Sequence, residues 1–182
     1  MQNYCVLDIE TVVGKWRYFP RGFNLLMVGL KTTEGPLGED AYDCFRSEKE
    51  EIERLIGFLE GYRGVVVTYN GTRFDVPVLE WYADGFLGRT LPVFEHYDIM
   101  ARLTKKVRKL VGLDTVARLT LGQGKTPWDS KRNAVIWEED PDRLIAYNRT
   151  DLDITAELFE RILQGEPLRT EAGPVFLAPP FA

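Results

Sequence analysis

The chain has 182 residues, 45% hydrophobic and 28% charged, a balance that sets aside disorder and suits one domain of ordinary size. Its net charge of −5 and sequence pI near 5.1 set aside a protein held to nucleic acid by bulk charge, although a local basic rim beside an acidic site can still take a phosphodiester. Two cysteines, Cys5 and Cys44, are too few for a disulfide framework, and neither a leader pattern nor an apolar run of membrane length is visible, so a cytoplasmic protein with no membrane association is expected.

The opening YCVL, residues 4–7, is short, β-prone and apolar, as in a strand buried on both faces. A loop of glycine, arginine and aromatics follows (GKWRYFPRG), then a second strand over residues 24–30, a turn at TTEGPLGED, and a short third strand over 41–45. Ser47 with Glu50 three residues on has the form of a capping box, and Ile52, Leu55, Ile56 and Leu59 recur at helical spacing. The pattern predicts a helix over 48–60. The β-branched run at 65–68 predicts a buried strand closing on an Asn70-Gly71 turn. A helix is predicted over 74–83 with Pro77 in its first turn, and a strand ending near Asp98. Helical pieces follow around 99–107 and 113–121. The polar, glycine-bearing stretch at 122–135 reads as a loop, and a long helix starts beside Pro141 and ends at Gly165. Three early strands followed by strand–helix alternation predict an α/β fold, a central mixed five-stranded sheet flanked by helices. The expected organisation is one domain over 1–165 and a Pro-rich C-terminal tail over 166–182, packed as an irregular strap or partly disordered.

Four acids stand at element ends. Asp8 and Glu10 are two apart, so on a strand they share a face, where two like charges repel unless a cation joins them. A solvated strand end would show the same pattern. Asp75 follows the fourth strand and its turn; it suits a helix's first turn and equally a place at the sheet's carboxyl edge. Tyr147 and Asp151 lie four apart on one helix face whose neighbours Leu144, Ile154 and Leu158 are apolar, and a carboxylate on a core-facing stripe needs a partner. Four carboxylates can neutralise two divalent cations, and ions about 4 Å apart suit in-line phosphoryl displacement. All-oxygen donors point to Mg²⁺ or Mn²⁺.

The motifs DIE (Asp8 to Glu10), NGTRFD (Asn70 to Asp75) and YNRTD (Tyr147 to Asp151) resemble, in order and separation, those of the DEDD family of 3′–5′ exonucleases in its tyrosine branch. That family has the ribonuclease H-like fold, and this chain is most similar to the proofreading domains of family B DNA polymerases and small stand-alone relatives. The resemblance covers residues 4 to about 163. It implies that Asp8, Glu10, Asp75 and Asp151 ligate two metal ions and that Tyr147 positions the attacking water. It further implies release of nucleoside 5′-monophosphates from the 3′ end of single-stranded DNA or RNA. The chain ends at Ala182 with no polymerase module, so any polymerase or repair partner would be separate.

For substrate, the first loop interleaves Lys15, Trp16, Arg17, Tyr18, Phe19 and Arg21, rings for stacking and cations for phosphates. Thr11 could bond a terminal sugar or phosphate, and Asn70 a phosphate. Lys105, Lys106 and Arg108 belong to the densest basic run and could follow the strand's backbone, with Lys125, Lys131 and Arg132 adding to that region. Asp98 reads as an acid that either supports the metal ligands from behind or is structural, and His96 as a satisfied core or edge histidine. Two other readings stay open: a non-catalytic nucleic-acid or partner-binding module, and a structure-specific endonuclease with the same metal site.

Overall fold

A computed structural model describes residues 3–14, 19–33 and 41–180. Trp16, Arg17 and Tyr18 of the expected substrate loop, with Lys15, lie outside them. Strands β1 (Tyr4–Val13), β2 (Phe23–Thr32) and β3 (Ala41–Arg46) form an antiparallel meander, and β4 (Val65–Thr68) and β5 (Glu95–Asp98) add in parallel on the other side of β1. The resulting order, β3-β2-β1-β4-β5, is the mixed five-stranded sheet that the sequence predicts.

Helices α1 (Lys49–Gly61), α2 (Asp75–Leu87), α3 (Ile99–Val107), α4 (Leu113–Leu121), α5 (Asn133–Glu139) and α6 (Pro141–Leu163) flank it. Side-chain alternation along β1 assigns them to faces. Cys5, Leu7 and Ile9 pack with Ile52, Leu55 and Leu59 of α1 and Val78 and Leu79 of α2. Tyr4 and Val6 point the other way, into a cluster with Leu103, Val116, Leu152, Leu158 and Phe159. Asp8 and Glu10 continue the parity of Tyr4 and Val6, and so face α6.

Four expectations change. The first strand does not stop before its acids but runs on to Val13, because β2 continues to pair with it; a register shift falls between Glu10 and Thr11. β4 pairs only as far as Val6↔Val67, so Asp8 and Glu10 lie beyond the carboxyl edge of β4 although inside β1. The residue capping α1 is Glu48, with no side-chain capping bond, so Ser47 does not close the capping box. Part of the expected loop is ordered: Ser130–Arg132 make a 3-10 turn leading into α5. The expected irregular tail includes a two-stranded hairpin, β6 (Leu168–Thr170) with β7 (Gly173–Val175), and Tyr97 Oη donates to the Ala178 carbonyl at 2.8 Å, tying the tail to β5.

Candidate active site

The site forms where β1 outruns β4 and meets α6. One carboxylate oxygen from each of Asp8, Glu10 and Asp151 lies within 4.8 Å of the others. Asp8 is half-buried, while Glu10 and Asp151 are buried. Asp151 comes from α6, whose start is set by Pro141 in its first turn and by Asp140, which accepts from the Arg143 amide. Tyr147, one turn before Asp151, presents its ring at the same place.

Asp75 is buried at the start of α2, outside that close group. Its Oδ1 accepts the Ile9 backbone N–H at 3.1 Å, a bond possible because β4 has ended there. Asp98 fixes the turn that delivers it. Its Oδ1 accepts from the Asn70 and Ala101 amides, both at 3.0 Å, and its Oδ2 from the Thr72 amide at 2.9 Å. The expected structural role of Asp98 is what the geometry shows. Asn70 takes a left-handed conformation, φ 78°, in this turn. His96 Nε2 is 2.8 Å from Thr68 Oγ1, a hydrogen-bonded histidine of the sheet.

The acids are held against their electrostatic preference. Burial, followed by Asp75, Glu10 and Asp151, pushes the Asp8 carboxyl well above the usual range. Burial and Asp151 raise Glu10 to about 7, even though Lys125, Asn148 and Asn133 oppose the shift. Burial raises Asp75 to about 7, with Asp98 adding to it. Asp151 is raised by burial, with Lys125 and Tyr147 opposing. Burial pushes the Tyr147 phenol up to about 12, so it is a neutral hydroxyl at physiological pH.

Lys125 meets this charge. Its Nζ lies 2.5 Å from Asp151 Oδ2 and 5.2 Å from the centre of the Tyr147 ring. Burial alone would lower its ammonium; the charge and hydrogen bond of Asp151, with Tyr147, raise it instead. The other Asp151 oxygen, Oδ1, is buried with no hydrogen-bond partner among the described residues. An all-carboxylate donor set, a buried carboxylate oxygen without a donor, and an ammonium group already seated against its twin together fit a hard cation.

Two asparagines brace the acids. Asn133 Nδ2 donates to Glu10 Oε2 at 3.0 Å and to the Thr11 carbonyl at 3.2 Å, and Asn133 Oδ1 accepts from Trp128 Nε1 at 2.7 Å. Trp128 stacks on Tyr147 with ring centres 4.2 Å apart. Asn148 Nδ2 donates to Asp8 Oδ2 at 2.8 Å.

Beside Glu10 opens a cavity of about 510 Å³ whose walls include Thr11, Val12, Phe23, Phe74 and Lys131. Phe19 stacks on Phe74, with centres 5.9 Å apart, and Phe23 meets Phe74 edge-on at 5.0 Å. A second cavity, about 300 Å³, is walled by Asn70, Arg73, Thr104 and Lys105. Thus Thr11 borders the acids, and Asn70 and Lys105 share a wall along the turn that leads to Asp75. Lys106 and Arg108 are exposed at the end of α3 and line neither cavity.

Residues 5–163 match the profile of the RNase H superfamily. The chain belongs to that superfamily. No curated protein matches it. Among solved structures it is similar to the family B DNA polymerase of the hyperthermophilic archaeon Pyrobaculum calidifontis, with a TM-score of 0.68 and 19% identity, over 90% of this chain and 25% of that one. The chain thus spans about a quarter of that polymerase's length, and the likeness is one of fold.

For an RNase H-like chain, the sequence motifs locate the acids but not their supports. Asn133, Asn148, Trp128 and Phe74 were not expected at the site, and Lys125 was expected only as part of a basic stretch. Asn148 and Phe74 each adjoin or interrupt a motif, NGTRFD or YNRTD, which is the signal that could have found them. Asn133 and Trp128 reach the site through a chain segment that carries no motif. No helix among the described residues is long and apolar enough to cross a membrane.

Proposed function

We propose that the chain is a metal-dependent 3′–5′ exonuclease that shortens single-stranded DNA or RNA and releases nucleoside 5′-monophosphates. The observation that carries this reading is the gathering of Asp8, Glu10 and Asp151 oxygens within 4.8 Å of one another, with Tyr147 one helical turn away. Asp8, Glu10, Asp75 and Asp151 would hold two ions, and Asp75 is the neighbouring charge that acts most strongly on Asp8. Mg²⁺ or Mn²⁺ bound there supplies Lewis-acid activation of water and neutralises charge on the phosphoryl group.

The chain's own groups do the rest. The neutral Tyr147 hydroxyl orients a water by hydrogen bonding and does not act as a base. Lys125, close to both Tyr147 and Asp151, offers a positive charge to a phosphoryl oxygen in the same space. The Phe19, Phe23 and Phe74 rings and Val12 give a terminal base an apolar wall, and Lys131 and the Thr11 backbone flank its sugar and phosphate. Arg73 and Lys105 extend a basic path on the far side of the Asp75 turn, continued by Lys106 and Arg108. None of these contacts reads a base edge, so cutting is independent of sequence. Two free thiols, Cys5 buried and Cys44 half-buried, suit a reducing compartment such as the cytoplasm. A polymerase or repair partner fits the same reading.

A second reading rests on Lys125. An ammonium paired with Asp151 can replace a metal outright and leave a nucleic-acid-binding module without turnover. One experiment separates the two. A 5′-labelled oligonucleotide, as DNA and as RNA, is followed with Mg²⁺, Mn²⁺ or EDTA, beside Asp151→Ala. A ladder shortening from the 3′ end, dependent on metal and absent from the variant, is expected. Binding of the oligonucleotide without cutting in any metal favours the second reading, and cutting of circular single-stranded DNA would mean an endonuclease.

A further inference from the structure

We propose that Asn148 is the positioning residue of Asp8 in the acidic site, and that position 29 is glycine because Asn148 needs its space. The inference rests on the metal-binding reading above. Asn148 is 1% exposed, on α6 between Tyr147 and Asp151. Its Nδ2 donates to Asp8 Oδ2 at 2.8 Å, and the same side chain lies within hydrogen-bonding reach of Glu10. The amide therefore stands beside both β1 acids, bonded to Oδ2 of Asp8 and leaving Oδ1 of Asp8 for a cation. A neutral donor orients the acids without supplying a charge that competes with the ion, which distinguishes Asn148 from Lys125.

The cost of this arrangement is visible. Asn148 Oδ1 is buried and has no hydrogen-bond partner among the described residues. Turning the amide over would satisfy neither end, because it would aim the oxygen at a carboxylate. A buried unpartnered acceptor is uncommon in a native core and is tolerated where another demand sets the orientation. Gly29 shows how closely that orientation is held. It stands directly opposite Asp8 in the β1–β2 pairing, so its missing side chain would project on the same face. A Cβ there would sit 1.7 Å from Asn148 Oδ1, 2.8 Å from Asn148 Cγ and 3.1 Å from Leu152 Cδ1. No φ constraint calls for glycine at this point of β2; the amide does.

Such residues behind metal ligands alter metal affinity by roughly 10- to 100-fold. The test titrates Mn²⁺ into the protein without nucleic acid and follows free Mn²⁺ by electron paramagnetic resonance. It uses the wild type, Asp8→Ala, Asn148→Ala, the packing-conserving Asn148→Leu, Gly29→Ala, and the Gly29→Ala/Asn148→Ala double variant. We expect the two Asn148 variants to weaken Mn²⁺ binding about tenfold or more with unchanged circular dichroism. Gly29→Ala should weaken it comparably by driving the amide off Asp8, and should add little in the Asn148→Ala background, where the two shortest contacts are gone and only Leu152 Cδ1, the end of a flexible side chain, remains close. Wild-type affinity in Asn148→Leu, or full additivity of the two substitutions, overturns the proposal. Failure of the wild type to bind Mn²⁺, or retention of full binding by Asp8→Ala, overturns the metal-binding reading itself.

Discussion

Lys125 sets one ammonium against three carboxylates whose own surroundings disfavour charge. Removing one partner of a fully buried ion pair costs about 3–5 kcal/mol, and the Lys125 side chain is about a quarter exposed, so a smaller loss is expected. Lys125→Met should destabilise the metal-free protein by about 2 kcal/mol in urea melts. Added Mn²⁺ should recover most of that loss, because a divalent ion supplies the missing charge. A variant as stable as the wild type in EDTA would show that Lys125 does not compensate the site. Tyr147→Phe makes the complementary change. It keeps the stack on Trp128 and loses only the hydroxyl, so turnover should fall about 10²- to 10⁴-fold while oligonucleotide affinity is kept.

At the scale of elements, Asp98 joins three of them: it ends β5, caps α3 and grips the turn before α2. Its three backbone bonds are to a carboxylate, and each such bond contributes about 1.5–3 kcal/mol. Asp98→Ala should therefore cost about 3 kcal/mol or more of stability by chemical denaturation and also displace Asp75, so that cutting falls even at temperatures where the variant is folded. An Asp98→Ala protein with wild-type melting would break this link.

The elements that the sequence predicts well are those with a period of their own. Helix α1 falls where Ile52, Leu55, Ile56 and Leu59 recur, and β4 where four β-branched residues run together. The acids were legible for the same reason, since spacings of two on a strand and four on a helix fix a shared face before any tertiary contact forms. What stayed hidden is tertiary. Helix α5 is only seven residues long and follows glycine- and proline-bearing chain, so NAVIWEE never completes two turns of a pattern. The strands β6 and β7 are three residues each, below the length at which alternation can be read. Asn133 reaches Glu10 across 123 positions of sequence, and Asn148 reaches Asp8 across 140, so no local rule joins them. The extension of β1 to Val13 is secured by its pairing with β2, past the point where Asp8 and Glu10 interrupt the apolar run.

For the whole molecule, the raised acids make stability depend on pH in an unusual direction. Glu10 rises from 4.5 to about 7, and Asp75 from 3.8 to about 7, chiefly through burial. Between those values the folded, metal-free protein holds protons that the unfolded chain has released, so unfolding becomes easier as pH increases, with the deficit complete above about pH 7. The melting temperature in EDTA should thus be lower near pH 8 than near pH 5.5, and the gain on adding Mn²⁺ should be larger near pH 8, where the carboxylates are free to bind. A flat profile in EDTA would mean that these acids are not protonated in the folded state.

The strand at the middle of the sheet, β1, is also the first described strand in chain order. During synthesis it leaves the ribosome together with β2 and β3, and this antiparallel meander can pair from local contacts alone. Its other edge must wait for β4, and its two acids wait longer still, until Lys125, Asn133, Asn148 and Asp151 have emerged. Until then the nascent chain carries Asp8 and Glu10 in water, ionised and hydrated. Closing α6 over them is the step that strips that water away. If the site takes a divalent ion as proposed, an ion present at that moment would meet both carboxylates charged and the last wall of the site not yet in place, so folding and metal binding would be one event.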